Sequence, residues 1–199
     1  MVGMNMIRAI LFDYMGVLVH DFHLLYAELA KTSGMKETEI KPVFSKHWQQ
    51  LKTGAMTDPE FWDRMKDELG LTEDDVIRLS AFILKVLTAR RDATEAIKKL
   101  SLQYSLYLLS NSCYGWSEVS FDNNGFRPFF KETFWSHRLG LAKPDKKIYL
   151  YALEHMPFTP DEILFVDDTL ESVTIAKKFG MSTVHFKNWK DFFKKLDLL

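Results

Sequence analysis

Residues 10–18 read Ile10-Leu11-Phe12-Asp13-Tyr14-Met15-Gly16-Val17-Leu18, and the reading of this stretch decides the fold. With Ile7 and Ala9, the apolar residues before Asp13 form a short run that carries no charge after Arg8. Such a run, ending at an acid and a glycine turn, reads as a buried strand of a parallel sheet delivering Asp13 at its C-terminal end. In open α/β sheets ligands bind along that edge. An acid before a glycine turn is also ordinary loop chemistry, so the meaning of Asp13 rests on what later strands bring beside it.

Beyond Leu18 the pattern turns helical and stays so as far as residue 88. Ile40, Phe44, His47, Trp48 and Leu51 recur at helical spacing. Thr57-Asp58-Pro59-Glu60 is a capping box, with Phe61, Trp62, Met65 and Leu69 on one face behind it. Thr72-Glu73-Asp74-Asp75 opens another helix carrying Val76, Ser80, Ile83, Leu84 and Leu87. With a helix near Leu24 to Lys31, these short amphipathic segments can bury a common core as a bundle does. Trp48, Phe61 and Trp62 are expected to form that core, the alternative being a substrate-facing role for one of them.

From Arg91 onward, helices and strands alternate. Ala93 to Leu100 reads as a helix, Leu106 to Leu109 as a strand ending in Ser110-Asn111, and Thr133 to Ser136 as a short strand. Pro144-Asp145 opens a helix through Tyr149 and Leu153, and Ile163 to Val166 is a strand ending in Asp167-Asp168. Ser172 to Phe179 is a helix stopped by Gly180, and Thr183 to Phe186 is the last expected strand. The pattern predicts an α/β protein with a doubly wound parallel sheet. Residues 1–18 and 89–199 would form the sheet core, and residues 19–88 a helical insertion.

The strand ends and loops deliver Asp13, Ser110, Lys143 and Asp167-Asp168. Carboxylates crowded on one edge repel unless a cation sits among them. Oxygen-only ligation, with no nearby Cys or His pair at ligand spacing, favours a hard ion, Mg²⁺ first. A lysine and a hydroxyl beside such an ion suit a phosphoryl group.

Phe12-Asp13 through Leu18, Leu109-Ser110-Asn111, Gly140 to Asp145 with Ile148-Tyr149, and Val166-Asp167-Asp168 through Gly180-Met181 resemble the four ordered motifs of the haloacid dehalogenase (HAD) superfamily. The insertion resembles the small helical cap of its subfamily IA. Gly54, Thr57 and Phe61-Trp62 before a Glu-Leu-Gly are similar to the branch holding the epoxide-hydrolase N-terminal phosphatase domain. The resemblance implies a HAD-like, Rossmann-like core and an aspartyl-phosphate mechanism with Asp13 as nucleophile. It implies that Ser110 and Lys143 hold phosphoryl oxygens, with backbone N–H groups of Tyr14, Met15 and Asn111 as further donors. It implies Mg²⁺ held directly by Asp168, with Asp13 and the Met15 carbonyl as further ligands and Asp167 as a second ligand or a water-mediated one. Ser172 stands where the family usually carries an acid or Asn supporting the metal.

The departure is Met15. The family's phosphatases usually place a second Asp there, which protonates the leaving group and later activates water. Its loss removes general acid–base catalysis, typically ~10²–10⁴ in rate, or roughly 3–5 kcal/mol. Substrates with good leaving groups would suffer least. Asp21, His20 and His23 follow the first motif where the chain enters the insertion and read as solvated linker residues, with Asp21 the alternative candidate for a replacement acid. The expected activity is a Mg²⁺-dependent phosphohydrolase acting on a small phosphorylated metabolite. The alternative is an impaired relative that binds a phosphorylated ligand or partner. A metal-free dehalogenase is disfavoured, because paired Asp167-Asp168 suits a cation and dehalogenases generally carry an aromatic residue at the position of Met15.

A formal net charge of -1 gives no support for nucleic-acid or anionic-membrane binding. The single cysteine, Cys113, allows no intrachain disulfide and points to a reducing compartment. It is expected to be a packing residue, and His137, His155 and His185 structural. The Met1-Val2-Gly3 start lacks a basic secretory n-region. No stretch approaches the roughly 18 apolar residues of a membrane span, so a cytoplasmic protein is expected. The oligomeric state is not set by these features.

Overall fold

The computed structural model describes residues 6–198. Five strands form one sheet: β1 (Ala9–Phe12), β2 (Ser105–Ser110), β3 (Phe130–Trp135), β4 (Ile163–Asp167) and β5 (Ser182–His185). All neighbours are parallel, in the order β3-β2-β1-β4-β5. The chain therefore winds away from β1 in both directions, and β1 marks the crevice where the strand order reverses. Phe12 lies level with Leu108 on β2 and Val166 on β4. That register places Asp13, Ser110 and Asp167 along the same edge.

Every β1 side chain is buried because helices cover both faces of the sheet. Ile10, Phe12, Leu106, Leu108, Leu164 and Val166 face one apolar cluster, and Ala9, Leu11, Tyr107, Leu109 and Phe165 face the other. The first side is covered by α5 (Ala93–Ser101) and by α6 (Val119–Asn123), which follows a π turn at Tyr114–Glu118. The short α7 (Ser136–Leu139) follows β3 directly. The opposite side is packed by α8 (Lys146–His155) and α9 (Leu170–Lys178), and α10 (Trp189–Leu196) returns to the first.

Between β1 and β2 lie α1 (His23–Ser33), α2 (Glu37–Leu51), α3 (Asp58–Leu69) and α4 (Glu73–Val86). The expected capping box opens α3: Thr57 Oγ1 accepts the Glu60 N–H, and Glu60 Oε2 accepts the Thr57 N–H at 2.8 Å. Such a cap contributes about 1 kcal/mol. Phe44, Phe61, Met65 and Leu69 are buried together, and truncating a ring such as Phe61 to Ala would cost about 3–5 kcal/mol. The segments leading into and out of these helices run side by side. Val19 bridges Ala89 antiparallel, and the Arg90 N–H donates to the Leu18 carbonyl at 2.9 Å.

Some expectations need correction. The third strand runs over Phe130–Trp135, and Ser136 already belongs to α7. The buried face of α4 is turned toward Leu79 and Val86, leaving Ser80 and Leu84 half-buried at its rim. The π turn, α6 and α10 are absent from the sequence-based pattern. Among the described residues, no helix is long and apolar enough to cross a membrane.

Candidate active site

Asp13 leaves the end of β1 with its own N–H donating to the Val166 carbonyl at 2.8 Å, so β4 fixes the start of the loop. Its carboxylate oxygen Oδ1 accepts the Tyr14 N–H at 2.7 Å and pairs with Lys143 Nζ at 2.8 Å. Gly16 turns the chain at φ +81, and a Cβ there would collide with the Asp168 carboxylate. The glycine therefore serves both the turn and the close approach of the acid. Arg90 ties this loop down from outside, its Nη1 donating to the Gly16 carbonyl at 2.6 Å.

Lys143 is only 4% exposed and bridges two carboxylates, Asp13 and Asp167, the second at 2.6 Å. Its loop is held to the end of β2 by a reciprocal pair. The Lys143 N–H donates to Asn111 Oδ1 at 2.8 Å, and Asn111 Nδ2 donates to the Lys143 carbonyl at 2.9 Å. Asp167 is fully buried, with Oδ1 accepting the Thr169 N–H at 2.7 Å. Asp168 is half-buried, and its carbonyl oxygen lies 2.9 Å from His185 Nε2.

One carboxylate oxygen from each of Asp13, Asp167 and Asp168 lies within 4.8 Å of the others. Burial pushes the Asp13 carboxyl up to about 7, against the pull of Lys143 and with the repulsion of Asp167 and Asp168. Burial, then Asp167, also raises Asp168. Burial acts to lower the Lys143 ammonium, but Asp13 and Asp167 hold it above its usual value. Three carboxylates against one ammonium leave excess negative charge in an all-oxygen donor set. That set fits a hard divalent cation such as Mg²⁺.

Above this cluster opens a cleft of about 240 Å³, with Asp13, Met15, Asp21, Trp48, Lys143 and Asp168 among its walls. Met15 is part of the cleft wall. Asp21 shares the wall and pairs with His23 Nε2 at 3.2 Å. Trp48 combines the two expectations: it is half-buried and packs against the core, stacking on Trp116 at 6.3 Å, and it forms part of the cleft wall. Phe61 and Trp62 are core residues as anticipated.

Ser110 is fully buried at the end of β2, and Ser172 lines the cleft. The Tyr14 side chain does not reach the cleft; its hydroxyl sits 2.8 Å from Ser120 Oγ and its ring packs edge-on against Phe121 and Trp135. Cys113 is buried, and burial pushes its thiol up, as suits inert packing. His137 is held between Ser112 Oγ and Glu118 Oε1, each at 2.9 Å, and His155 meets the Tyr151 carbonyl. Arg90 was not legible as a site residue, because it acts through a contact distant in sequence; Asn111 was expected here through its backbone, and its side-chain pair with Lys143 is the addition.

A family model described as haloacid dehalogenase-like hydrolase matches residues 7–180. The chain is 25% identical over 185 residues to drimenol cyclase drtB of Aspergillus calidoustus, covering 91% of this chain and 34% of that protein. It is 25% identical over 215 residues to bifunctional epoxide hydrolase 2 of Sus scrofa, covering 96% and 38%. The chain thus spans well under half the length of these two relatives. It is also 23% identical over 146 residues to sesquiterpene phosphatase astK of Aspergillus oryzae, covering 71% and 72%. Among solved structures, a HAD family enzyme from Bacteroides thetaiotaomicron superposes with a TM-score of 0.82 at 23% identity, covering 94% of this chain and 98% of that one. An Asp-to-Ala variant of that enzyme, in complex with magnesium and inorganic phosphate, gives 0.79 at 25% identity, covering 94% and 99%.

Proposed function

The chain belongs to the haloacid dehalogenase-like hydrolase family, and from that premise we propose that it is a Mg²⁺-dependent phosphohydrolase acting on a small phosphorylated metabolite. The observation that carries this reading is the convergence of Asp13, Asp167 and Asp168, with Lys143 bridging two of them at 2.8 and 2.6 Å. The phosphatase among the relatives and the magnesium and phosphate bound by the Bacteroides variant support it.

Asp13 is the nucleophile. Its Oδ1 is engaged by Lys143 and the Tyr14 N–H, and Oδ2, which has no hydrogen bond among the described residues, attacks phosphorus. The ester P–O bond breaks and an aspartyl-phosphate forms, which water then hydrolyses. Ser110, Lys143 and the backbone N–H groups of Met15 and Asn111 hold the phosphoryl oxygens. Asp13, Asp167, Asp168 and the Met15 carbonyl would hold Mg²⁺, which when bound neutralises the crowded carboxylates and the phosphoryl charge. The helices of residues 19–88 act as a cap over the sheet edge, excluding water and selecting substrate. The Val19–Ala89 bridge, where the chain enters and leaves these helices, supports a common hinge for it. Because Met15 cannot donate a proton, the substrates best served have good leaving groups, such as anomeric sugar, acyl or aryl phosphates.

A second reading, an impaired member that binds a phosphorylated ligand or partner, is favoured by one observation, Met15 on the cleft wall. Phosphate release from a panel of sugar, acyl and aryl phosphates separates the two. Release abolished by Asp13→Asn and by chelation of Mg²⁺ supports the hydrolase; undiminished release after either change rejects the mechanism. Ligand-induced thermal stabilisation without turnover supports the second reading.

A further inference from the structure

Away from the cleft, a second cavity of about 270 Å³ opens beside the Val19–Ala89 bridge, between the root of the helical insertion and α10. His20 and Arg90 stand on one wall, and Trp189 and Lys190 on the other. Arg91 and Asp92 complete it, so three fixed cations face one acid in a chain whose formal net charge is -1. Arg91 lies 3.9 Å from Asp92, whereas Arg90 and Lys190 have no carboxylate partner among the described residues. Cations gathered in a concave site raise the local concentration of anions. The Arg90 guanidinium is held over the Phe186 ring at 5.5 Å, with Nη1 and Nη2 donating to the Gly16 and Lys187 carbonyls at 2.6 and 3.4 Å. A guanidinium carries more donors than these contacts use. Two further features point to a ligand. Trp189 is 5% exposed, yet its indole N–H has no acceptor among the described residues, and a buried donor without a partner is costly. The helix α5 starts at Asp92, whose side chain makes no capping bond, so the positive end of that helix is open at the same cavity.

We propose that this cavity binds the pyrophosphate group of a small metabolite, with Arg90, Arg91 and Lys190 meeting phosphoryl oxygens and the Trp189 indole N–H as a further donor. Two linked phosphoryl groups match three cations and an open helix end better than one does. The site stands apart from the chemistry but is tied to it. Arg90 grips the Gly16 carbonyl in the turn after Asp13, and the Trp189 ring lies 6.1 Å from that of Phe12, the residue before Asp13. The ligand also joins His20 and Arg90, at the root of the insertion, to α10 of the sheet core. Occupancy therefore stiffens that root and steadies the loop that carries Asp13. The proposal does not rest on the phosphohydrolase reading.

The test is a calorimetric titration with inorganic pyrophosphate in chelator, where a saturable site is expected. Lys143→Met removes the cation of the cleft and should bind as the wild type does. Arg91→Gln combined with Lys190→Gln changes only exposed side chains and should bind about tenfold or more weakly. No saturable binding, or binding lost in Lys143→Met and kept in the double variant, overturns the proposal. Sulfate should bind more weakly than pyrophosphate, and equal affinity for the two would reduce the site to non-specific anion attraction and overturn it as well. ADP run beside pyrophosphate tells the source of the group: tighter binding assigns a nucleotide, and weaker binding a smaller carrier. Nuclear magnetic resonance of the indole N–H groups gives an independent arm. Trp189→Phe identifies the Trp189 resonance, which should move on adding pyrophosphate to the wild type. Binding that leaves this resonance unmoved would place the anion elsewhere and overturn the assignment.

Discussion

Removing the Lys143 ammonium tests the electrostatic logic of the site most sharply. Lys143, Asp13 and Asp167 are 4%, 8% and 0% exposed, and the two pairs close at 2.8 and 2.6 Å. Lys143→Met keeps the aliphatic stem and leaves two buried carboxylates facing each other. Breaking a buried ion pair from one side costs about 3–5 kcal/mol. At roughly 2–4 °C per kcal/mol for a protein of this size, the metal-free variant should melt about 6–20 °C below the wild type. Adding Asp13→Asn to Lys143→Met removes one of the stranded charges, so the double variant should regain part of the loss. The coupling energy should fall in the range of about 0.5–3 kcal/mol expected of residues in one network. Urea and thermal denaturation in chelator, followed by circular dichroism, measure all four corners of the cycle. A Lys143→Met cost under about 1 kcal/mol, or strictly additive effects, would refute the reasoning, since contacts this short between buried charges cannot be both present and uncoupled.

Three further outcomes are expected. Met15→Asp should raise kcat on substrates with poor leaving groups by up to ~10²–10⁴; steady-state kinetics showing no change there would mean that Asp21 or another group already supplies the acid. Gly16→Ala forces a side chain into the left-handed region at φ +81 and into the Asp168 carboxylate. It should cost about 1–2 kcal/mol of stability from the backbone alone and weaken Mg²⁺ binding in a calorimetric titration. Asp58, whose Oδ2 accepts the Gly115 N–H, has its carboxyl raised above 3.8 by burial. The folded state therefore holds that proton more tightly than the unfolded chain, so the contribution to stability is greatest below 3.8 and declines as pH rises through the folded value. Asp58→Asn should accordingly gain on the wild type as pH rises over that window, and a pH-independent difference between the two would contradict this.

The central strands β1, β2 and β4 were legible because they are short and buried along nearly their whole length, whereas β3, exposed at Lys131 and Glu132, was read only from Thr133 onward. The acids were legible for the same reason: Asp13 and Asp167-Asp168 terminate such runs. Trp48 was harder, because helical spacing places it on the apolar face of α2 together with Phe44. That spacing cannot show that the stack on Trp116 leaves it facing the cleft. The helix α10 carried a usable signal, an Asn188 cap bonded to the Asp191 N–H with Trp189 and Phe192 buried behind it. It packs on Phe12, a contact spanning almost the whole chain.

The central claim is that Asp13 becomes covalently phosphorylated. Rapid acid quench during turnover with a good-leaving-group phosphate, followed by mass spectrometry of the peptide carrying Asp13, measures this directly. The account predicts one phosphoryl group on Asp13, formed only with Mg²⁺ present and absent in Asp13→Asn. Turnover that leaves Asp13 unmodified, or a phosphoryl group found on another residue, would contradict it.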